Sequence, residues 1–220
     1  MDYAAKTSVQ QGSEQSVSGA LLSRPRSRRN YSRLGAPHLW GRHPGFATLV
    51  QIILEQQISL SAARTVYPRL RTEMGGMTPG LVHSRKISGL RSLGITRQKS
   101  RYCFSLAEMI LDGALNLSDA ACSPDQIGRE MLMSVPGLGS WSVDIYYLMA
   151  LRRLDIWPKG DLALPVLLQE IKKLKEPPNH DEQAGLASAW RPWRSVAARL
   201  LWAHYLDARG RYEEKSGKRV

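Results

Sequence analysis

Residues 132–142 read Leu132-Met133-Ser134-Val135-Pro136-Gly137-Leu138-Gly139-Ser140-Trp141-Ser142. A helical pattern runs into Val-Pro-Gly-Leu-Gly, and a second helix leaves it at Ser140. Gly137 and Gly139 have no Cβ, which permits positive φ and the close approach of another backbone. The first turn of the second helix presents N–H groups without intrahelical partners and the positive end of a helix dipole. That combination suits a phosphate, and it needs no side chain. The bland alternative is a helix–glycine turn–helix packing joint. The full Val-Pro-Gly-Leu-Gly run with serine after it favours the phosphate-binding hairpin.

Outward from the hairpin, the chain reads as helices. Phe46 to Leu54 carries a wide apolar stripe at 3.6-residue spacing, the mark of a buried helix. Ser61 to Met74 repeats the pattern until Gly75-Gly76 ends it. Thr78-Pro79 and Ser84 are start signals for short segments, and Gly89 and Gly94 punctuate the next stretch. Thr96 to Leu111 is amphipathic, with Arg97, Lys99 and Arg101 in its first two turns. Basic residues there oppose the helix dipole, and two readings stand: a phosphate contact or simple solvation. Further helices are expected at Asp125 to Met133, Ser140 to Leu151, Leu167 to Leu174 and Pro192 to Asp207. No alternating run reads as a strand. The class is all-α, with roughly eight to ten helices.

The whole chain has 220 residues, 31 Lys+Arg against 19 Asp+Glu, and a net charge of +12. The surplus favours a polyanionic partner, whether nucleic acid, a ribosome or an acidic membrane surface. Its 43% hydrophobic content supports one sizeable core or two small lobes sharing one. The apolar runs fall short of the ~20 residues a membrane span requires, so no membrane span is expected. Residues 1–35 hold Lys6, Arg24, Arg26, Arg28, Arg29 and Arg33 against Asp2 and Glu14, and the first 20 are rich in Ser, Gln and Gly. They read as a disordered basic arm without the apolar stretch of a signal peptide; an organellar transit peptide stays open. A basic tail, 209–220, closes the chain, and 36–208 between them is the expected folded domain. Cys103 and Cys122, the only 2 cysteines, exclude a disulfide-built scaffold and a four-cysteine zinc or iron–sulfur site. The histidines show no metal-ligand spacing.

Three segments in order carry a resemblance. They are the hairpin followed by Gly160-Asp161, the segment Leu54-Glu55-Gln56-Gln57-Ile58-Ser59, and Trp190-Arg191-Pro192-Trp193-Arg194-Ser195-Val196-Ala197-Ala198 with Trp202. Together they resemble the helix-hairpin-helix (HhH-GPD) DNA glycosylase superfamily, and within it the 3-methyladenine branch, over about residues 35–207. The resemblance implies a two-lobed helical bundle with a cleft between the lobes. The expected lobes are 58–150 and 36–57 plus 151–208. It also implies a base-excision enzyme acting as a monomer on duplex DNA that contains a damaged base. Its place would be the bacterial cytoplasm and nucleoid, or a eukaryotic nucleus or organelle.

The resemblance assigns roles residue by residue. Asp161 matches the essential acid, and the chemistry asks for one. Breaking an N-glycosidic bond develops positive charge on the sugar, which a carboxylate stabilises while orienting water. Asp161 as a mere helix cap is the competing reading; Pro165, comfortable at a first helical position, argues that the helix starts near Leu164. Bifunctional relatives carry a lysine two residues after the second hairpin glycine. Trp141 stands there, so the expectation is a monofunctional hydrolase without a lyase step. Trp141 and Trp202, with Tyr146 as a weaker member, match the base pocket, where an indole face attracts a cationic alkylated purine. Trp190 and Trp193 lie in the Trp-x-Pro-Trp motif, and Trp193 reads as core. Gly137, Leu138, Gly139 and Ser140 are the expected DNA contacts. Gln56 and Gln57 either probe the minor groove, fill the gap left by a flipped nucleotide, or are satisfied surface amides. No cofactor is expected beyond a sodium or potassium ion on the carbonyls of Met133, Val135 and Leu138. A non-catalytic duplex-binding module and a uracil or hypoxanthine glycosylase are the rival functions.

Overall fold

The computed structural model describes residues 41–209. The expected N-terminal arm and nearly all of the basic tail lie outside the described residues. Within them every regular element is an α-helix, as the all-α expectation required. The ten helices are α1 (Phe46–Glu55), α2 (Leu60–Met74), α3 (Pro79–Ser92), α4 (Arg97–Leu111), α5 (Leu117–Cys122), α6 (Asp125–Met133), α7 (Ser140–Met149), α8 (Ala163–Lys172), α9 (His180–Ser188) and α10 (Arg194–Ala208). They form two compact units, Gly41–Arg152 with α1–α7 and a second that begins at Arg153 and holds α8–α10.

In the first unit α1 is the central helix. Leu49, Val50, Ile52, Ile53 and Leu54 are all buried, so α1 has apolar surface on most of its circumference and needs neighbours on several sides. It finds them in α2, α4 and α7. This corrects the expected lobe division: residues 46–55 belong with the helices that come after them and not with 151–208. The end of α1 is closed by Lys99 of α4, whose Nζ donates to the carbonyls of Leu54 at 2.7 Å and Gln56 at 2.6 Å. A helix end leaves such carbonyls without partners, and a cation also suits the negative end of the dipole. Lys99 is therefore a structural cap, neither a phosphate ligand nor a merely solvated charge. Partial burial lowers its pKa.

The remaining helices of this unit obey local signals. Ser59, Thr78, Thr96 and Asn116 each accept a backbone N–H at a helix start. Gly75 ends α2 in the left-handed conformation. The two start signals at Thr78 and Ser84 find a counterpart in α3, which is broken by non-helical backbone at Lys86. α5 crosses α6 so closely that a Cβ on Gly128 would overlap the Ala120 carbonyl and the Tyr147 hydroxyl. Arg129 of α6 pairs with the buried Asp144 of α7 and lies over the Tyr147 ring.

In the second unit α8 packs on α10; Leu164, Leu167 and Leu168 of the one and Val196, Ala197, Ala198 and Leu201 of the other are buried. Small residues on α10 let the two helices approach. Trp190 is buried and packs on Trp157, ring centroids 5.7 Å apart. Ser195 at the start of α10 ties the preceding loop together. Its N–H donates to Leu154 O at 3.0 Å, and its Oγ accepts from Ile156 N at 3.0 Å. Asp155 accepts from Arg194 Nε at 2.6 Å and Nη2 at 3.0 Å, a two-pronged pairing that fixes the same loop.

Two helices, α5 and α9, have no counterpart in the apolar pattern of the sequence. Both are short and weakly apolar. Their signal is the cap: Asn116 before α5, and for α9 a capping box in which Asn179 accepts from Asp181 N and Glu182 N while Glu182 accepts from Asn179 N. Near α8 the expected start at Leu167 is four residues late.

Candidate functional site

The hairpin joins α6 to α7 within the first unit. Leu138 is 2% exposed, so its side chain anchors the turn in the core and only its backbone is left for a ligand. Gly137 sits at φ +89, and a Cβ there would run into the Tyr102 ring. Glycine is required at this position on both counts. Gly139 differs. Its backbone is extended (φ −81, ψ 178) and a Cβ would meet nothing within 4 Å, so the free protein makes no demand for glycine there. It is the exposed N-cap of α7, with no side chain capping the helix. Ser140 comes next as the first helical residue. An exposed, uncapped helix start preceded by open space is an anion cradle.

Gln56 is bound into this turn. Its Nε2 donates to Gly137 O and to Ser142 Oγ, both at 2.8 Å. The amide thus braces the hairpin from α1, which corrects the idea of a free probe. Its neighbour Gln57 is exposed and held at φ +53. A non-glycine residue in the left-handed region carries backbone strain of about 1 kcal/mol. Trp141, half-buried, stands in the first turn of α7 where a lyase lysine would be. Tyr146 does not stand in a pocket. It is 2% exposed, its hydroxyl accepts from Gly45 N at 2.9 Å, and burial raises its pKa. It is core because it lies on the inner face of a helix buried almost throughout.

The carbonyls named for a cation sit around the same turn. Val135 O already accepts from Leu138 N at 3.1 Å. Met133 ends α6, where carbonyls lack an i+4 partner. A carbonyl has a second lone pair, so that hydrogen bond does not use up Val135 O. Among the described residues no three His, Cys, Asp or Glu gather as a metal site, and no helix is long and apolar enough to cross a membrane.

The carboxylate lies in the second unit. Gly160, at φ +83, turns the chain just before Asp161. Asp161 Oδ1 accepts from Ala163 N at 3.0 Å, Leu164 N at 2.9 Å and Trp202 Nε1 at 3.2 Å. The helix begins at Ala163, so Asp161 does precede it in a turn, and it also caps it. The helix-cap reading therefore holds for this side chain. Pro165 falls inside the first turn, where its missing N–H is not needed. Leu162, beside Asp161, is 89% exposed. Sequence reasoning missed it, although an apolar residue between an aspartate and a helix start is a visible anomaly. Trp202 of α10 is half-buried and meets Asp161 through its ring edge. Lys159 is exposed, two residues from Asp161.

YfjP of Bacillus subtilis is 25% identical over 162 residues, which are 70% of this chain and 56% of that protein. The chain thus spans only about half the length of this relative. Among solved structures, the 3-methyladenine DNA glycosylase of Schizosaccharomyces pombe, in complex with abasic DNA, superposes with a TM-score of 0.70 at 21% identity. That match covers 80% of this chain and 88% of the other. A DNA-3-methyladenine glycosidase from Bacillus halodurans gives 0.69 at 24% identity, covering 89% and 91%. These likenesses show the fold. The family model described as HhH-GPD superfamily base excision DNA repair protein matches residues 50–192, a span containing the hairpin and the Asp161 turn, and the chain belongs to that family.

Proposed function

We propose that the protein is a DNA glycosylase that hydrolyses the N-glycosidic bond of alkylated bases in duplex DNA, without a lyase step. The observation that carries this reading is the Asp161 carboxylate, held by two backbone N–H groups and the Trp202 indole N–H in a fixed direction. Family membership and the similarity to proteins named 3-methyladenine glycosylases support it.

The reaction needs little beyond such a group. The C1′–N bond breaks and its electron pair leaves with the base. From a cationic 3-methylpurine the base departs neutral, so no proton has to be supplied. Positive charge accumulates on the sugar, and the fixed carboxylate stabilises it. Water then bonds to C1′, and Asp161 orients it and takes up its proton. The uncapped start of α7 receives a backbone phosphate, and Trp141 offers an indole face for a cationic base. With tryptophan at that position no amine attacks the sugar, and the hydrolytic route results. A monovalent ion on the hairpin carbonyls would stiffen the turn.

The test is an excision panel on duplexes bearing 3-methyladenine, 7-methylguanine, ethenoadenine, hypoxanthine or uracil. Wild type should release the alkylated purines, and Asp161→Asn should lose at least about 10²-fold in rate while keeping duplex affinity. Release of no base by wild type would establish the binding-module reading instead. A borohydride-trapped covalent adduct would overturn the hydrolytic subtype.

A further inference from the structure

One face of α4 borders an open groove of about 630 Å³ beside the hairpin. Arg97, Gln98, Arg101, Tyr102 and Ser105 line it from the helix, and Pro136 closes it from the turn. Residues i, i+4 and i+8 share one side of a helix, so Arg97, Arg101 and Ser105 form a single polar row. Lys99 points elsewhere and is committed to the end of α1. The two arginines have no such commitment. Both are exposed, and among the described residues no carboxylate pairs with either. The first turn of α4 holds no acidic residue, so the guanidinium groups face an unfavourable dipole without local compensation.

The groove is also built into the hairpin. Tyr102 is its fixed wall: the ring packs under Gly137, and the hydroxyl accepts from Gln98 Nε2 at 2.7 Å. Pro136 on its rim is three residues from Gly139, at most about 11 Å of chain. Neighbouring phosphates of one DNA strand fall within such a reach. Two forked cations, an amide and a hydroxyl match the oxygens of a phosphodiester, which guanidinium groups bind in a planar, two-pronged way.

We propose that the Arg97–Arg101 groove is a second phosphate site, which takes a backbone phosphate of the duplex next to the one bound at the start of α7. The inference rests on the glycosylase reading and lengthens the footprint of the hairpin along one strand. It also gives the basic start of α4 a function that neither solvation nor the Lys99 cap supplies.

The experiment measures binding of the full chain to a duplex oligonucleotide carrying an abasic-site analogue, across a range of salt concentrations. The variants are Arg97→Gln/Arg101→Gln, the charge-retaining Arg97→Lys/Arg101→Lys, and a control that removes two exposed arginines of α3, Arg85→Gln/Arg91→Gln. Each lost phosphate contact should make the slope of log K against log salt shallower by about 0.9, so the groove variant, which loses one phosphate, should lose about 0.9. At roughly 0.15 M salt that is about fivefold in affinity. The lysine variant should recover most of the slope and the α3 control should match wild type. Single-turnover excision at saturating duplex should stay unchanged in the α3 control. An unchanged slope in the groove variant, or an equal loss in the α3 control, overturns the proposal while leaving the glycosylase reading intact. Failure of wild type to bind the duplex removes both, and is recognised by that difference.

Discussion

The indole N–H of Trp202 donates to Oδ1 of Asp161 at 3.2 Å, across 41 residues of sequence. The bond ties α10 to the turn before α8 and adds a side-chain donor to the two backbone donors on the same oxygen. Trp202 therefore acts on the carboxylate through its edge, whatever its face does. A carboxylate with three donors on one oxygen cannot rotate freely, so its direction is fixed in the free protein.

Trp202→Phe separates edge from face. Phenylalanine keeps an aromatic ring but has no N–H. A hydrogen bond to a charged group is worth about 1.5–3 kcal/mol, so kcat should fall about 10- to 100-fold while KM for the duplex changes little. If the ring served only to stack on a base, the phenylalanine variant would retain nearly the wild-type rate. Steady-state excision kinetics with thermal melting as a folding control decide between the two.

The two hairpin glycines should respond differently to alanine. Gly137→Ala meets the Tyr102 ring and a positive φ together. Strain and overlap should cost about 2–4 kcal/mol of stability, and duplex affinity should fall with it. Gly139→Ala has open space and an ordinary φ in the free protein. Its melting temperature should stay within about 1–2 °C of wild type while duplex affinity drops, because the added methyl stands where a phosphate approaches. A wild-type affinity in Gly139→Ala would count against phosphate binding at this helix start.

The cysteines give a pH-dependent readout. Burial pushes the Cys103 thiol up to about 12 from an ordinary value of 9.0. Above pH 9 the unfolded chain releases this proton and the folded chain keeps it. The stability associated with the neutral buried thiol is therefore full below pH 9 and declines as pH rises toward 12. Cys122 is exposed. A thiol reagent at pH 8 should modify one cysteine quickly and the second only after denaturant is added; two fast thiols would show that α4 does not bury Cys103.

Local features are legible in the sequence because the physics that sets them is local. Gly75, Pro136 and Gly137 punctuate helices by backbone geometry alone, and the apolar period of residues 46–54 reports burial directly. What Leu49 or Ile53 pack against is not written in their spacing. The central place of α1 comes from a mostly apolar circumference, yet its partners α2, α4 and α7 lie later in the chain. Asp161 illustrates the same limit. An acid is expected at its place after Gly160, but its simultaneous hold on Ala163, Leu164 and Trp202 is tertiary. Lys99 falls on the expected helix, but neither expected role fits it, since the carbonyls it caps belong to a helix more than forty residues earlier. Leu162 has no periodic partner, so nothing but its isolation could draw notice.

Gln56 offers a last check on how the hairpin is held. Its amide bridges the Gly137 carbonyl and the Ser142 hydroxyl, one on each side of the N-cap at Gly139. Gln56→Met preserves length and apolar bulk but leaves both groups without this donor. The loss should amount to about 1–3 kcal/mol of stability, because the contact is partly buried. The larger effect should appear in binding, since the first N–H groups of α7 lose the brace that sets their direction. A duplex affinity that falls further than the stability loss explains would assign Gln56 to the preorganisation of the phosphate cradle. An affinity unchanged under conditions where the variant is fully folded would show that the turn keeps its shape through Tyr102 and Leu138 alone.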